Sequence, residues 1–325
     1  MKNFRQYDIG VPGRPWGAEE RQQWLKRQVK QRSYEDLVVL PLKSMMSRNP
    51  ALYQAASIVE YGTVDYTSIG QGAYRLYALK SQPWRDDRPT AIVTGGVHGY
   101  ETSGVLGALL FIQNHFIETA RAVNVLVLPC VTPWAFETVN RWTPLAVDPN
   151  RSFNRDKPGC EEAGLAMACI RSQLGKSPAL VHIDLHETTD TDNSEFTPAK
   201  IARDGLAAEK WSEIPDGFYL VGDARRPQII FQQAMLDAVR RVTHLAAADE
   251  DGCIIGDPLV IPHLVHYDCA KYYLCGGHTD APYVTTTEVY PDSKRTTPEE
   301  CNAAQAACVV AGIQFAINAT AGSRH

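Results

Sequence analysis

The apolar residues of this chain follow two rhythms, and the switches between them mark out its elements. YRLYALKS (74–81) alternates apolar and polar positions, and TAIVTGG (90–96) is a β-branched run closed by glycines, so both predict strands. ETSGVLGALLFIQNHFIETA (101–120) spaces its apolar residues three and four apart, which predicts a helix. NVLVLPCV (124–131) and ALVHIDLHE (179–187) read as further strands, the second with His182, Asp184 and His186 on one face by the two-residue period. A middle stretch marked by Gly and Pro (190–228) follows, then a helix over 229–247, a short strand YVTTTEVY (283–290) and a final helix over 297–319. Ahead of all this, residues 17–33 are charged and helix-forming, and EDLVVLPL (35–42) predicts a short strand or an extended segment. No chemistry is legible in that N-terminal stretch.

Strands alternating with long helices predict an α/β fold with a parallel or mixed sheet covered on both faces. No repeat, low-complexity tract or clear linker divides the chain, so residues 1–325 are expected to form one domain, with 1–63 an N-terminal extension packed on it. The composition, 44% hydrophobic and 21% charged over 325 residues, leaves ample material for a core. The net charge of -5 and the lack of any Lys/Arg-rich run remove the electrostatic footprint of a nucleic-acid binder. The first residues lack the apolar centre of a secretory signal, and no apolar run is read as approaching the roughly 18 residues that span a bilayer. A cytoplasmic protein without membrane partner is the expectation. Eight cysteines without a CxxC pair predict buried thiols; Cys269 and Cys275 are the one pair for which a disulfide is weighed.

The chemistry begins at GGVHGYE (95–101), where a buried strand ends in glycines and delivers His98 and Glu101 into a turn that opens a helix. Ligands of α/β folds bind beyond the carboxyl ends of strands, so a site belongs here. A His-x-x-Glu pair suits a metal ion, and catalytic zinc takes three protein ligands while keeping a position for water. His186, at the carboxyl end of its strand, is the best third ligand. His182 sits mid-strand and reads as a core histidine, while His263, His266 and His278 lie in less regular sequence and stay in reserve. The acidic stretch ETTDTDNSE (187–195) reads as a solvated loop in preference to a second metal site.

Two further motifs add to this. In VDPNRSF (147–153), with Arg141 upstream, two arginines and Asn150 suit a substrate carboxylate, because guanidinium grips carboxylates through a two-pronged fork. Asp148 is placed to accept a hydrogen bond from His98 and fix its tautomer. In YVTTTEVY, Glu288 is a carboxylate embedded in an apolar strand, which is costly without a function. A glutamate there can take a proton from water and return it to a leaving amine.

The ordered set HGYE, Arg141, DPNRSF, a strand-end histidine and TTTE resembles the zinc metallocarboxypeptidases of the carboxypeptidase A type, over roughly residues 64 to 318. The resemblance implies a mixed, twisted sheet of about eight strands between helices. It implies one Zn2+ per chain on His98, Glu101 and His186, with Asp148 behind His98 and Glu288 as base. Arg141 would stabilise the oxyanion, and Asn150 and Arg151 would hold the terminal carboxylate of a small peptide. A tyrosine would cap the substrate, with Tyr267 carried forward over Tyr272, Tyr273 and Tyr283. The DLHETT context of His186 is instead similar to the aspartoacylase and succinylglutamate desuccinylase branch, whose members remove acyl groups from small amino acids. Acyl-amino acid hydrolysis is therefore the alternative, and a carboxylate-binding module without turnover is the rival of another class.

Overall fold

The protein is described here by a computed structural model covering residues 4–207 and 211–322. The apolar runs at 90–96 and 179–187 become neighbouring central strands, β3 (Thr90–Gly95) and β5 (Ala179–Glu187), paired in parallel with Gly95 opposite Leu185. On the far side of β5 lies β10 (Tyr283–Val289), also parallel, with Glu288 in register with His186. On the other flank of β3 come β4 (Asn124–Leu128), β2 (Ala73–Ser81) and β1 (Ala56–Asp65). Beyond β10 stand β6 (Tyr219–Asp223), antiparallel to it, and β9 (Leu264–Tyr267). The sheet thus has eight strands in the order β1-β2-β4-β3-β5-β10-β6-β9, mixed in direction. A separate two-stranded hairpin joins β7 (Cys253–Ile254) to β8 (Asp257–Pro258).

Helices cover both faces, because the central strands carry apolar side chains on both. On one face, Ile183 and Leu185 share a core with α4 (Thr102–Ala122), α8 (Ile229–Val239) and α9 (Pro298–Gly322). On the other, Ile92, Leu126 and Leu128 pack against α6 (Glu161–Leu174), on the face to which β5 contributes the buried His182, Asp184 and His186. The mixed α/β sheet of eight strands expected from the sequence is what forms.

Three local readings change. EDLVVLPL is helical throughout: a π-helical turn over Glu35–Val39 runs directly into α2 (Leu40–Arg48), followed by α3 (Pro50–Ala55). The buried positions Val38, Val39, Leu42 and Met46 recur at helical spacing once the segment is read on past Leu42, and Pro41, inside the continuous helical run, lacks the N–H that would bond back to the preceding turn, which is where the π-helical turn stands. The Gly- and Pro-marked middle holds α7 (Thr197–Asp204) and β6. Lastly, α9 is apolar and long enough by length and composition to cross a membrane, contrary to the reading that no run approached that length. Its Cys301, Ala304, Cys308, Val309, Ile313 and Ala316 are all in the core, so here the apolar stretch serves packing. The eight cysteines are free thiols, Cys269 and Cys275 included. The charged helix expected over 17–33 appears as α1 (Ala18–Arg27), with Trp24 buried against Trp134 and Trp142.

Candidate metal centre

Three parallel strands, β3, β5 and β10, end on the same edge of the sheet, and that edge gathers the site. After β3 the chain must turn sharply within a packed interior. Gly96 takes φ +58, and a Cβ on Gly99 would fall 2.1 Å from the backbone of Ala135 and Phe136 in α5 (Pro133–Thr138), so only glycine fits there. This turn presents His98 and then Glu101, the residue that caps the start of α4.

His98 Nδ1 lies 2.7 Å from Glu101 Oε1, and His186 Nδ1 lies 2.7 Å from Glu101 Oε2. All three side chains are buried, and their ligand-type atoms fall within 4.8 Å of one another, the one such cluster among the described residues. Each imidazole turns its other nitrogen to a carboxylate: His98 Nε2 is 2.9 Å from Asp148 Oδ1, and His186 Nε2 is 2.7 Å from Asp184 Oδ2. Metal-bound histidines are commonly fixed in this way, with a carboxylate behind each ring. Glu101 Oε2, although close to His186, has no aligned hydrogen-bond donor. A buried carboxylate oxygen without a donor, facing two imidazole nitrogens, is a donor set that fits a cation.

The electrostatics agree with that fit. Burial alone would raise the Glu101 carboxyl, but the rings of His186 and His98 outweigh it and hold it far below the usual range. Burial alone would lower His186, yet Glu101 and Asp184 overcome it and keep the imidazole charged to well above its ordinary pKa. Asp148 is likewise held low, the pull of Arg141 and His98 exceeding the effect of burial. Glu288 behaves oppositely: burial, followed by the Glu101 charge, pushes it up to about 8. The residue is half-buried, and its carboxyl accepts a 2.9 Å hydrogen bond from Thr188, which also meets the Tyr219 hydroxyl at 2.8 Å. Two neighbouring acids with pKa values driven apart are the pattern of groups given different tasks.

Arg141 arrives from a strained turn. Val139, at the end of α5, takes φ +50, a left-handed conformation that β-branched residues rarely adopt, and this reverses the chain. The guanidinium then donates from Nε to Asp148 Oδ2 at 3.2 Å and from Nη1 to Tyr100 Oη at 3.1 Å and Asp192 Oδ1 at 3.2 Å. Its Nη2 has no partner among the described residues. Asn150 is buried, and its Oδ1 accepts from the Cys275 N–H at 2.8 Å, so its carbonyl is already engaged within the protein. Arg151 is exposed and its side chain, among the described residues, bonds the Asn150 carbonyl alone, at 2.8 Å. Tyr267 is partly buried, with its hydroxyl donated to Asp257 at 2.6 Å.

His182 stands apart from the cluster. Its nitrogens lie 3.1 and 3.3 Å from the hydroxyls of Thr94 and Thr279, and burial, with the charge of His278, pushes its pKa down to about 3, so it is a neutral core histidine. The acidic stretch after His186 is not a solvated loop. Asp192 holds Tyr100 and Arg141, Glu195 accepts from Tyr7 at 2.5 Å, and Glu187 is buried with its carboxylate on the first two N–H groups of α4, Thr102 at 3.0 Å and Ser103 at 2.6 Å. A cavity of about 560 Å3 lined by Phe153, Arg155, Asp223, Arg226, Tyr273 and His278 includes none of the cluster residues. Arg155 and Arg226 there are already bonded to Asp280 and Asp223.

Sequence reasoning did not single out Asp184, Asp192 or Glu187. The two-residue period did signal Asp184, since it places that carboxylate on the same face as His186. The partners of Asp192 and Glu187 are 51 and 85 residues away, and no local pattern points to them.

Residues 87–213 match the succinylglutamate desuccinylase/aspartoacylase catalytic domain. No curated protein matches the chain in sequence. Among solved structures, a candidate metallopeptidase from Shewanella amazonensis superposes with a TM-score of 0.61 at 18% identity, over 85% of this chain and 91% of that one. A metallo-carboxypeptidase from Burkholderia cenocepacia does so with 0.55 at 14%, over 94% and 70%. Bovine thrombin-activatable fibrinolysis inhibitor, solved in complex with a tick carboxypeptidase inhibitor, gives 0.55 at 12%, over 91% and 99%. At such identities the structural likeness establishes the carboxypeptidase-like fold. Together with the matched domain, it bears out the resemblance of this chain to both branches.

Proposed function

We propose that this protein is a zinc-dependent hydrolase of an amide bond in a small substrate carrying a free carboxylate. The observation that carries the reading is the paired arrangement of His98 and His186, each with Nδ1 toward the Glu101 carboxylate and Nε2 on an aspartate, Asp148 and Asp184. Two imidazoles and a carboxylate with supported tautomers suit zinc, in a protein with a strand-end acid alongside. When bound, the ion supplies Lewis acidity and a water of lowered pKa.

The chain's own residues would do the rest. His98, Glu101 and His186 hold the ion, while Asp148 and Asp184 keep each Nδ1 free of its proton. Glu288 takes a proton from the attacking water and returns it to the leaving nitrogen; its raised pKa in the metal-free protein fits a group that must both accept and donate near neutrality. Arg141 turns its uncommitted Nη2 to the oxygen that gains negative charge, steadied by Asp148 and Asp192. Arg151, exposed beside the site, grips the substrate carboxylate.

One observation favours the deacylase form over an exopeptidase: residues 87–213, which include His98, Glu101 and His186, match the succinylglutamate desuccinylase/aspartoacylase catalytic domain. The test is turnover by the zinc-loaded protein on N-acyl amino acids, on peptides with free C-termini, and on their C-terminally amidated counterparts. Cleavage of the acyl-amino acids, lost on amidation, is expected; preferential cleavage of amidated or internal peptide bonds overturns the reading.

A further inference from the structure

The N-terminal extension, silent in sequence, reaches the metal-binding turn through a single side chain. Arg32, half-buried, donates from Nη2 to the carbonyl of Gly99 at 2.7 Å, from Nη1 to Thr102 Oγ1 at 2.7 Å and from Nε to the carbonyl of Phe136 at 2.6 Å. Its guanidinium also lies 3.8 Å above the Phe136 ring. Gly99 stands between His98 and Glu101, and Thr102 follows Glu101. The three donors therefore bracket the segment that spaces two ligands, and tie it to α5.

The anchoring on both sides is firm. The arginine's own backbone is laid along α5, with the N–H groups of Gln31 and Arg32 on the Glu137 carbonyl, while the buried Glu137 carboxylate takes Tyr34 N–H at 2.8 Å and Lys30 Nζ at 2.7 Å. Thr102 passes the contact on: its hydroxyl meets the Tyr100 carbonyl at 3.2 Å, and its N–H is held by Glu187, the residue after His186. The charged guanidinium goes to two carbonyls and a hydroxyl instead of a carboxylate. Charge-assisted bonds of that kind are stronger than neutral ones, and the planar fork fixes direction as well as distance.

We propose that Arg32 is a positioning residue that sets the separation of His98 and Glu101, so that the N-terminal extension is part of the metal site. The inference rests on the reading of His98, Glu101 and His186 as metal ligands. Arg32 also lies outside residues 87–213, the part matched by the catalytic-domain family.

The test uses the full chain, with Co2+ as probe, its affinity measured against a chelator, and the visible spectrum reporting coordination geometry. The parent and Arg27→Ala, which breaks only the surface pair to Asp8, are expected to bind alike. Arg32→Ala is expected to bind about 10- to 100-fold more weakly, as losses of ligand-orienting partners do, with an altered cobalt spectrum. Millimolar guanidinium should restore the affinity of Arg32→Ala and leave Arg27→Ala unchanged. Arg32→Lys, which keeps the charge but cannot span three acceptors, should lie between. Thr102→Val, which deletes one acceptor without touching the arginine, gives a readout should Arg32→Ala fail to fold, and should weaken binding in the same sense. Unchanged Co2+ affinity and spectrum in the folded Arg32 variants, or in Thr102→Val, with a lowered melting temperature alone, overturns the proposal and leaves the ligand reading intact. A parent chain that binds no Co2+ removes both.

Discussion

Asp184→Asn removes a charge from behind His186 while preserving size and the ability to accept its Nε2 proton. In the parent, His186 lies between two carboxylates at 2.7 Å, Glu101 on Nδ1 and Asp184 on Nε2, all buried. The asparagine carbonyl can still hold the tautomer, so the change isolates the electrostatic share of the contact. Losses at such supporting partners are about 10- to 100-fold in metal affinity, or about 1.4 to 2.7 kcal/mol. The metal-free protein should suffer as well, since removing one side of a buried charge contact costs about 3–5 kcal/mol.

The pH dependence sharpens this prediction. Proton and metal compete for Nδ1, and His186 is held charged well above its ordinary pKa, so the apparent affinity of the parent should climb about tenfold per pH unit until the imidazole titrates. With one supporting anion gone, the climb should level off at a lower pH. In metal-free protein, a raised histidine pKa contributes stability that is complete below the unfolded value of about 6.5 and is lost as pH rises through the folded value, so the parent should lose stability at alkaline pH and the variant should have less to lose. Chelator competition at several pH values and thermal unfolding of the metal-free forms measure both. Equal affinity and an unshifted pH profile in Asp184→Asn would refute the claim that the carboxylate tunes the ligand.

Other outcomes follow from the same geometry. Glu288→Gln should abolish turnover while zinc and substrate still bind, checked by single-turnover kinetics with equilibrium binding. In the metal-free protein the same variant should be the more stable above neutrality: an acid raised to about 8 costs stability as pH climbs from its unfolded value near 4.5, roughly 1.4 kcal/mol per pH unit of the shift, and glutamine removes that cost. Asp148→Asn should weaken metal binding by about 10- to 100-fold in a chelator titration, and should also lower turnover because Arg141 loses one of its two carboxylates. Arg151→Ala should raise KM for a carboxylate-bearing substrate with little change in kcat, whereas Arg141→Ala should lower kcat by about two to three orders of magnitude.

The legible part of this molecule was the part written in short-range patterns. The β-branched run before Gly95, the strand around His182 to His186 and TTTE ending on Glu288 announced three parallel strands, and their carboxyl ends meet where the ligand-type residues were read. EDLVVLPL misled because its apolar period shows only when residues to Met46 are included. Asn150 was read as a substrate contact from its place in DPNRSF, but its engagement by Cys275 depends on a turn 125 residues away. Arg32, Glu187 and Asp192 escaped for the same reason. Each is an ordinary charged residue in its local sequence, and its role comes from partners that only the folded sheet brings near.

The most direct test of the central claim is elemental analysis of the purified parent beside His186→Ala and His182→Ala. These two histidines share a strand face, four residues apart, yet only His186 belongs to the cluster. About one zinc per chain is predicted for the parent and for His182→Ala, and close to none for His186→Ala. Full zinc in His186→Ala, or its loss only in His182→Ala, would contradict the account.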